Sequence, residues 1–146
     1  MSSPYNGAVD ISPKSVIKIT FNKPIIFGNK KITLKSNTEY IVPLTLNINN
    51  NVLILNHNAL SKGDRYIITI ASGSVKDLSG KVCSLYTTSF TISSLTMAQM
   101  TDGISRVQKF YTKNHRLPAY VIFGDKKILI KNFQAIIEAY RLKIKY

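Results

Sequence analysis

The chain of 146 residues has one cysteine, no tryptophan, five prolines, seven glycines and only seven acidic side chains. A lone Cys83 excludes an internal disulfide and any zinc site built from paired cysteines, and it leaves the redox compartment open. No apolar run reaches the roughly 18–20 residues that span a bilayer. The N-terminus lacks the basic stretch and apolar core of a secretory leader. Either an intracellular protein or a piece of a longer exported one is therefore expected. Disorder is excluded over most of the chain by the 45% hydrophobic content, six Phe and eight Tyr, which are enough apolar side chain for a core. The length fits one domain or two small ones.

The few acidic residues face 20 Lys and Arg, for a net charge of +13. Such a surface attracts polyanions in a salt-sensitive way, whether nucleic acid, anionic lipid or an acidic wall polymer. Split at Ser93, the first part carries 10 basic and 4 acidic residues and the second 10 and 3. The excess runs along the whole chain, as a general Lys-rich composition would also give, and is denser in the shorter C-terminal part.

Residues 15–92 alternate apolar and polar side chains in short runs broken by Asn, Gly, Pro, Ser and Lys, the pattern of half-buried antiparallel strands. Ile17, Ile19 and Phe21 alternate with Lys18 and Thr20. Further strands are predicted over 31–35, 41–48, 52–56, 65–71 and 86–92. Pro43 has no backbone donor, so its strand begins there or lies at an edge. Six or seven short strands in about 90 residues predict an all-β sandwich.

Several landmarks carry a resemblance. Pro4-Tyr5-Asn6-Gly7-Ala8-Val9-Asp10-Ile11-Ser12 leads into Ile17-Lys18-Ile19-Thr20-Phe21-Asn22-Lys23-Pro24-Ile25. Later come Leu60-Ser61-Lys62-Gly63-Asp64-Arg65-Tyr66, Val75-Lys76-Asp77-Leu78-Ser79-Gly80-Lys81 and Ser89-Phe90-Thr91. Together they resemble the bacterial and archaeal Ig-like domains of S-layer and other surface proteins, with Lys81 where an Asn is usual. Physically, Gly63 and Gly80 suit positive-φ turns, Asp77 suits a turn cap, and Tyr66 and Phe90 suit the core. Asp10, Asp64 and Asp77 lack the dense spacing of a calcium loop.

The pattern changes at Ser93-Ser94, which predicts a boundary between an Ig-like domain over 1–93 and a helical module over 94–146. Thr96 and Gln99 have capping-box spacing. Met97, Met100, Ile104, Val107 and Phe110 or Tyr111 then form one apolar stripe, while Arg106, Lys109 and Lys113 face elsewhere. Pro118 stops the helix, and Asn114 is the expected C-cap. Residues 120–123 read as extended, Gly124-Asp125 as a turn, and 130–142 as a second amphipathic helix with Phe133, Ile136, Ile137 and Tyr140 inward. The expected fold is thus an Ig-like sandwich followed by helix, short extended linker and helix.

The string Asn114-His115-Arg116-Leu117-Pro118-Ala119-Tyr120-Val121 reproduces the Asn-x-x-Leu-Pro-x-Tyr-Val core of the pseudomurein-binding repeat, which the segment 104–133 resembles; the Phe133 helix matches it more loosely. The two resemblances together are those of archaeal adhesin-like surface proteins. They imply a non-catalytic, extracellular fragment, an Ig-like spacer and a repeat holding it to pseudomurein, a wall polymer with acidic groups. Candidate ligand residues are Tyr111 and Tyr120 for sugar stacking, Lys113, Arg116, Lys126, Lys127 and Lys131 for carboxylates, and Asn114 and Pro118 in the motif. Leu117, Val121 and Phe133 read as core, Pro118 also as a fixed backbone direction, and Tyr120 as either core or ligand face.

The same repeat accompanies endoisopeptidases with a Cys, His and Asp constellation, so a wall-targeting part of such an enzyme is an alternative. Catalysis within this chain is not expected, because Cys83 is the only thiol and His57 and His115 stand in dissimilar contexts. No cofactor or metal is expected. An adhesive Ig-like domain with the repeat as tether, meeting ligands on other cells, is another alternative. Specific nucleic-acid binding has no Gly-rich loop, zinc finger or aromatic motif behind it.

Overall fold

The computed structural model describes residues 1–145. Ten strands come first: β1 (Ser2–Ser3), β2 (Ala8–Ile11), β3 (Ile17–Thr20), β4 (Ile25–Phe27), β5 (Ile32–Ser36), β6 (Thr45–Asn49), β7 (Val52–Asn56), β8 (Arg65–Ile70), β9 (Val75–Asp77) and β10 (Tyr86–Ile92). Period-two alternation gives each long strand one dry face, and two sheets bury those faces against each other. One sheet runs β1-β3-β7-β6 and the other β2-β10-β8-β5, while β4 and β9 form a separate ribbon. Ile17, Ile19, Leu53 and Leu55 from the first sheet meet Leu34, Tyr66, Ile68, Ile70, Phe90 and Ile92 from the second in one buried cluster. Tyr66 and Phe90 stack there at 6.1 Å. β6 is an edge strand that starts two residues after Pro43, as a residue without an amide donor requires.

Gly63 and Gly80 take φ values of 79° and 91°. Asp77 caps its turn as expected. Its Oδ1 accepts from Ser79 Oγ at 2.6 Å and from the amides of Ser79 and Lys81 at 2.9 Å each. The Ser79 hydroxyl, then the Lys81 amide, and more weakly the charge of Lys23 hold this carboxyl below its ordinary range. A depressed folded-state value stabilises the fold above the ordinary carboxylate range, and that contribution is lost as pH falls through the lowered value. The Asp77→Asn variant should therefore melt below the wild type at neutral pH, with the gap closing below about pH 4. Melting temperature against pH checks this; a gap independent of pH overturns it.

Beyond β10 the chain enters α1 (Met97–Asn114), β11 (Tyr120–Phe123), β12 (Lys126–Leu129) and α2 (Ile130–Ala139). Both halves of the Thr96–Gln99 capping box are made, at 2.9 and 3.1 Å. Met100, Gly103 and Val107 form the buried stripe of α1. Met97, expected on that stripe, is 51% exposed, because the helix begins there before anything packs over it. The left-handed C-cap is His115, with φ 56°, and not Asn114; Asn114 is the last helical residue, and its side chain donates to Phe110 O at 3.0 Å.

The extended linker is folded back on itself. β11 pairs antiparallel with β12, Tyr120 opposite Leu129 and Ile122 opposite Lys127. Leu95, Met100, Val107, Val121, Ile128, Phe133, Ile136, Ile137 and Ile144 form a second buried cluster that shares no residue with the first. α2 packs on β2, Lys126 Nζ lies 2.9 Å from Asp10 Oδ1, and the Lys62 ammonium sits 5.1 Å from the Tyr140 ring centre.

Candidate functional site

The hairpin sorts the predicted ligand residues by parity. Val121 and Ile128, directly opposite each other, point inward and are 2% and 1% exposed. The next rung outward on each side, Tyr120 with Leu129 and Ile122 with Lys127, therefore points away from the core. Tyr120 and Ile122 are each 49% exposed.

That outer face borders a shallow groove of about 160 Å³, lined by Arg106, Val107, Phe110, Pro118, Tyr120, Val121 and Ile122. Cations lie over two of its aromatic rings. The Arg116 guanidinium is 5.1 Å from the Phe110 ring centre, and the Lys127 ammonium is 5.6 Å from that of Tyr120. An ammonium or guanidinium over a ring keeps its outward N–H groups available to an anion.

Arg106 has a different task. Its Nε meets Asp102 at 2.9 Å, its Nη1 donates to Ile122 O at 2.7 Å, and its guanidinium covers Phe123 at 4.9 Å. It staples α1 to the back of β11. Sequence reading placed Arg106 on an outward face and gave no hint of this, because Ile122 is sixteen residues away and only the hairpin brings it near.

The other predicted site residues divide. Pro118 is half-buried in the groove, Tyr111 is half-buried on the penultimate turn of α1, and Lys113 and Asn114 are exposed on its last turn. Lys131 is exposed on the first turn of α2, about 160° around the helix from Phe133 at 100° per residue. Lys126 and Lys127, adjacent in sequence, point to opposite faces, and Lys126 is engaged by Asp10. Leu117 packs against the second cluster.

A second concavity, about 180 Å³, lies between β4, β9 and the segment after them. Phe21, Ile25, Val75 and Cys83 make its apolar side, and Lys23, Lys76 and Lys81 its rim. The Cys83 thiol faces Ala71 O at 3.7 Å. The His57 ring nitrogens face the carbonyls of Asn58 and Ser15 at 2.6 and 2.8 Å. Among the described residues no hydrogen bond joins Cys83 to a histidine, and no group of three or more His, Cys, Asp or Glu side chains is placed to hold a metal.

β2 pairs parallel with β10, and two four-stranded sheets make up the sandwich. Residues 1–92 match the family described as bacterial Ig-like domain. The chain belongs to that family. The Ig-like domain is similar in fold to CopC from Methylosinus trichosporium OB3b, with TM-score 0.54 and 17% identity over 64% of this chain and 89% of that one. It also matches the N-terminal part of the bacterial S-layer protein SbsC, with TM-score 0.48 and 20% identity over 61% of this chain and 23% of that one. No curated protein matches the chain. The family match ends at residue 92, so the groove lies outside the Ig-like domain.

Proposed function

We propose that this chain is a non-catalytic, wall-binding piece of an extracellular surface protein. An Ig-like domain over residues 1–93 serves as a spacer, and a separate module over 94–146 holds an acidic wall glycopeptide of the pseudomurein kind. Two unshared buried clusters support the division. The observation that carries the binding role is how the Asn-x-x-Leu-Pro-x-Tyr-Val string is used. Leu117 and Val121 serve the core, while Pro118 and Tyr120 are spent on a groove whose rings carry Arg116 and Lys127. A half-exposed tyrosine beside a proline wall suits the apolar face of a sugar ring, and the two cations suit its carboxylates. Lys126 belongs to the contact with the Ig-like domain in this reading.

The test uses the full chain and the variant Tyr120→Ala, Arg116→Ala, retained on purified pseudomurein sacculi. Both side chains are outside the core, so the fold should persist while retention falls about tenfold or more, the result of losing 1.4 kcal/mol or more of binding. Equal retention overturns the assignment. Retention of the wild type that vanishes in moderate salt, together with equal affinity for DNA, reduces the surface to generic charge attraction.

A further inference from the structure

The Ig-like domain leaves one sheet edge unguarded. Proteins blunt such edges with lysines, prolines, bulges, short strands or a covering element, because a free row of N–H and C=O groups templates further pairing. Three of the four sandwich edges are blunted. β1 has only two residues. β5 is partnered by the following segment, with Val42 N donating to Leu34 O at 2.8 Å and Ile41 bridging Lys35. β2 has a register irregularity against β10 and lies under α2.

β6 carries no lysine, proline or bulge within its five residues, and β4 approaches it without adding a backbone hydrogen bond to it. It pairs only with β7, and among the described residues no backbone hydrogen bond outside that ladder involves residues 43–49. Asn49 pairs with Val52 across the two-residue turn Asn50-Asn51, so Asn49, Asn47 and Thr45 aim their backbone groups at β7, and Leu46 and Ile48 aim theirs outward. The Phe21 and Ile25 amides donate to Asn51 O and Asn50 O at 2.8 and 2.9 Å, which fixes the hairpin tip.

Charge is also absent. Residues 40–61 contain no Asp, Glu, Lys or Arg in a chain of net charge +13. The other long neutral stretch, 82–101, supplies β10, which is paired on both sides.

We infer that β6 is a strand-addition edge whose occupant is β6 of a second copy of this chain, paired antiparallel about Asn47. Two copies, each strongly positive, repel wherever their lysines face each other, and this neutral edge is where they can meet. With Asn47 at the centre, Leu46 of one copy meets Ile48 of the other as a hydrogen-bonded pair. The two Asn47 residues become a non-hydrogen-bonded pair, whose side chains lie closest. The two four-stranded sheets join into one of eight strands. The proposal is independent of the wall-binding reading and has the opposite salt dependence: added salt screens repulsion between copies and strengthens pairing.

Sedimentation equilibrium of the full chain from roughly 10 μM to 1 mM covers the weak range expected of so small an interface. The expected result is a monomer–dimer equilibrium that tightens with salt. Asn47→Lys and Asn47→Asp each oppose like charges across the two-fold axis and should weaken association about tenfold, while an equal mixture of the two restores it. A wild type monomeric throughout, variants that dimerise like it, or a mixture that stays monomeric each overturns the proposal, the last by showing that the copies do not meet about residue 47.

Discussion

Phe133→Ala is expected to unfold the C-terminal module and leave the Ig-like domain standing. The Phe133 ring is fully buried and lies 5.9 Å from Phe123. It fits against Gly103, where a Cβ would come within 2.7 Å of its Cζ. Truncating such a ring costs about 3–5 kcal/mol, comparable to the whole stability that a core of some 50 residues supplies. The first cluster contains no residue of the module, so the change leaves the sandwich core itself intact. Amide exchange should show Met100, Val121 and Ile128 losing protection while Ile68 and Phe90 keep theirs. Loss of protection in both sets would mean one cooperative unit and would sink the proposed division at residue 93. The variant should also lose retention on sacculi, since Tyr120 and Arg116 are held in place only by this core.

Gly28→Ala should be the most damaging small change in the Ig-like domain. Gly28 follows β4, and its amide donates to Ser74 O at 2.8 Å. A Cβ there would collide with the Gly73 carbonyl oxygen. That neighbour is backbone, fixed in turn by the Asn29 amide at 2.9 Å, so it cannot swing aside as a side-chain tip would. Relief requires prising β4 from β9 and opening the wall formed by Ile25 and Val75. The expected loss is about 3 kcal/mol, or roughly 10–20 °C in melting temperature for a domain of this size. Gly80→Ala is the control. Its φ of 91° is unfavourable to alanine, yet nothing lies within 4 Å, so it should cost only about 1 kcal/mol. Equal effects at the two positions would show that steric contact with Gly73 is not what selects glycine at 28.

Where the sequence spoke clearly, its signal was periodic and local. Tyr86–Ile92 and Val52–Asn56 match their predicted ranges because β-branched, aromatic and aliphatic residues run through both and turn residues bound them. α1 begins at its predicted cap because the Thr96 and Gln99 side chains bond each other's backbone, a contact three residues apart that the sequence itself displays. β1, β2, β4 and β9, with sequences SS, AVDI, IIF and VKD, were not among the predicted strands because they lack the apolar–polar alternation that marked the equally short β3. β12 was missed for a related reason. Lys126-Lys127-Ile128-Leu129 does not alternate, and only Ile128 is buried. α2 starts with no side-chain cap at Leu129, so nothing local marked where that strand ended and the helix began. Asn114 and His115 were misassigned because both residue types tolerate the left-handed region, and the last carbonyls of α1 can be reached by either residue's backbone or side chain.

By itself the sequence determined the sandwich, the inward face of the strand carrying Ile17 and Ile19, the change of architecture after Ser93 and the set of motif residues, all of which depend on neighbours a few positions apart. Only the tertiary structure decided that the linker doubles back, setting Lys127 over Tyr120 and sending Lys126 to Asp10, 116 residues away. It likewise decided that, among the described residues, the outer side of β6 has no backbone partner. Those outcomes rest on which strand pairs with which, a choice made by the whole core at once and written in no short stretch of chain.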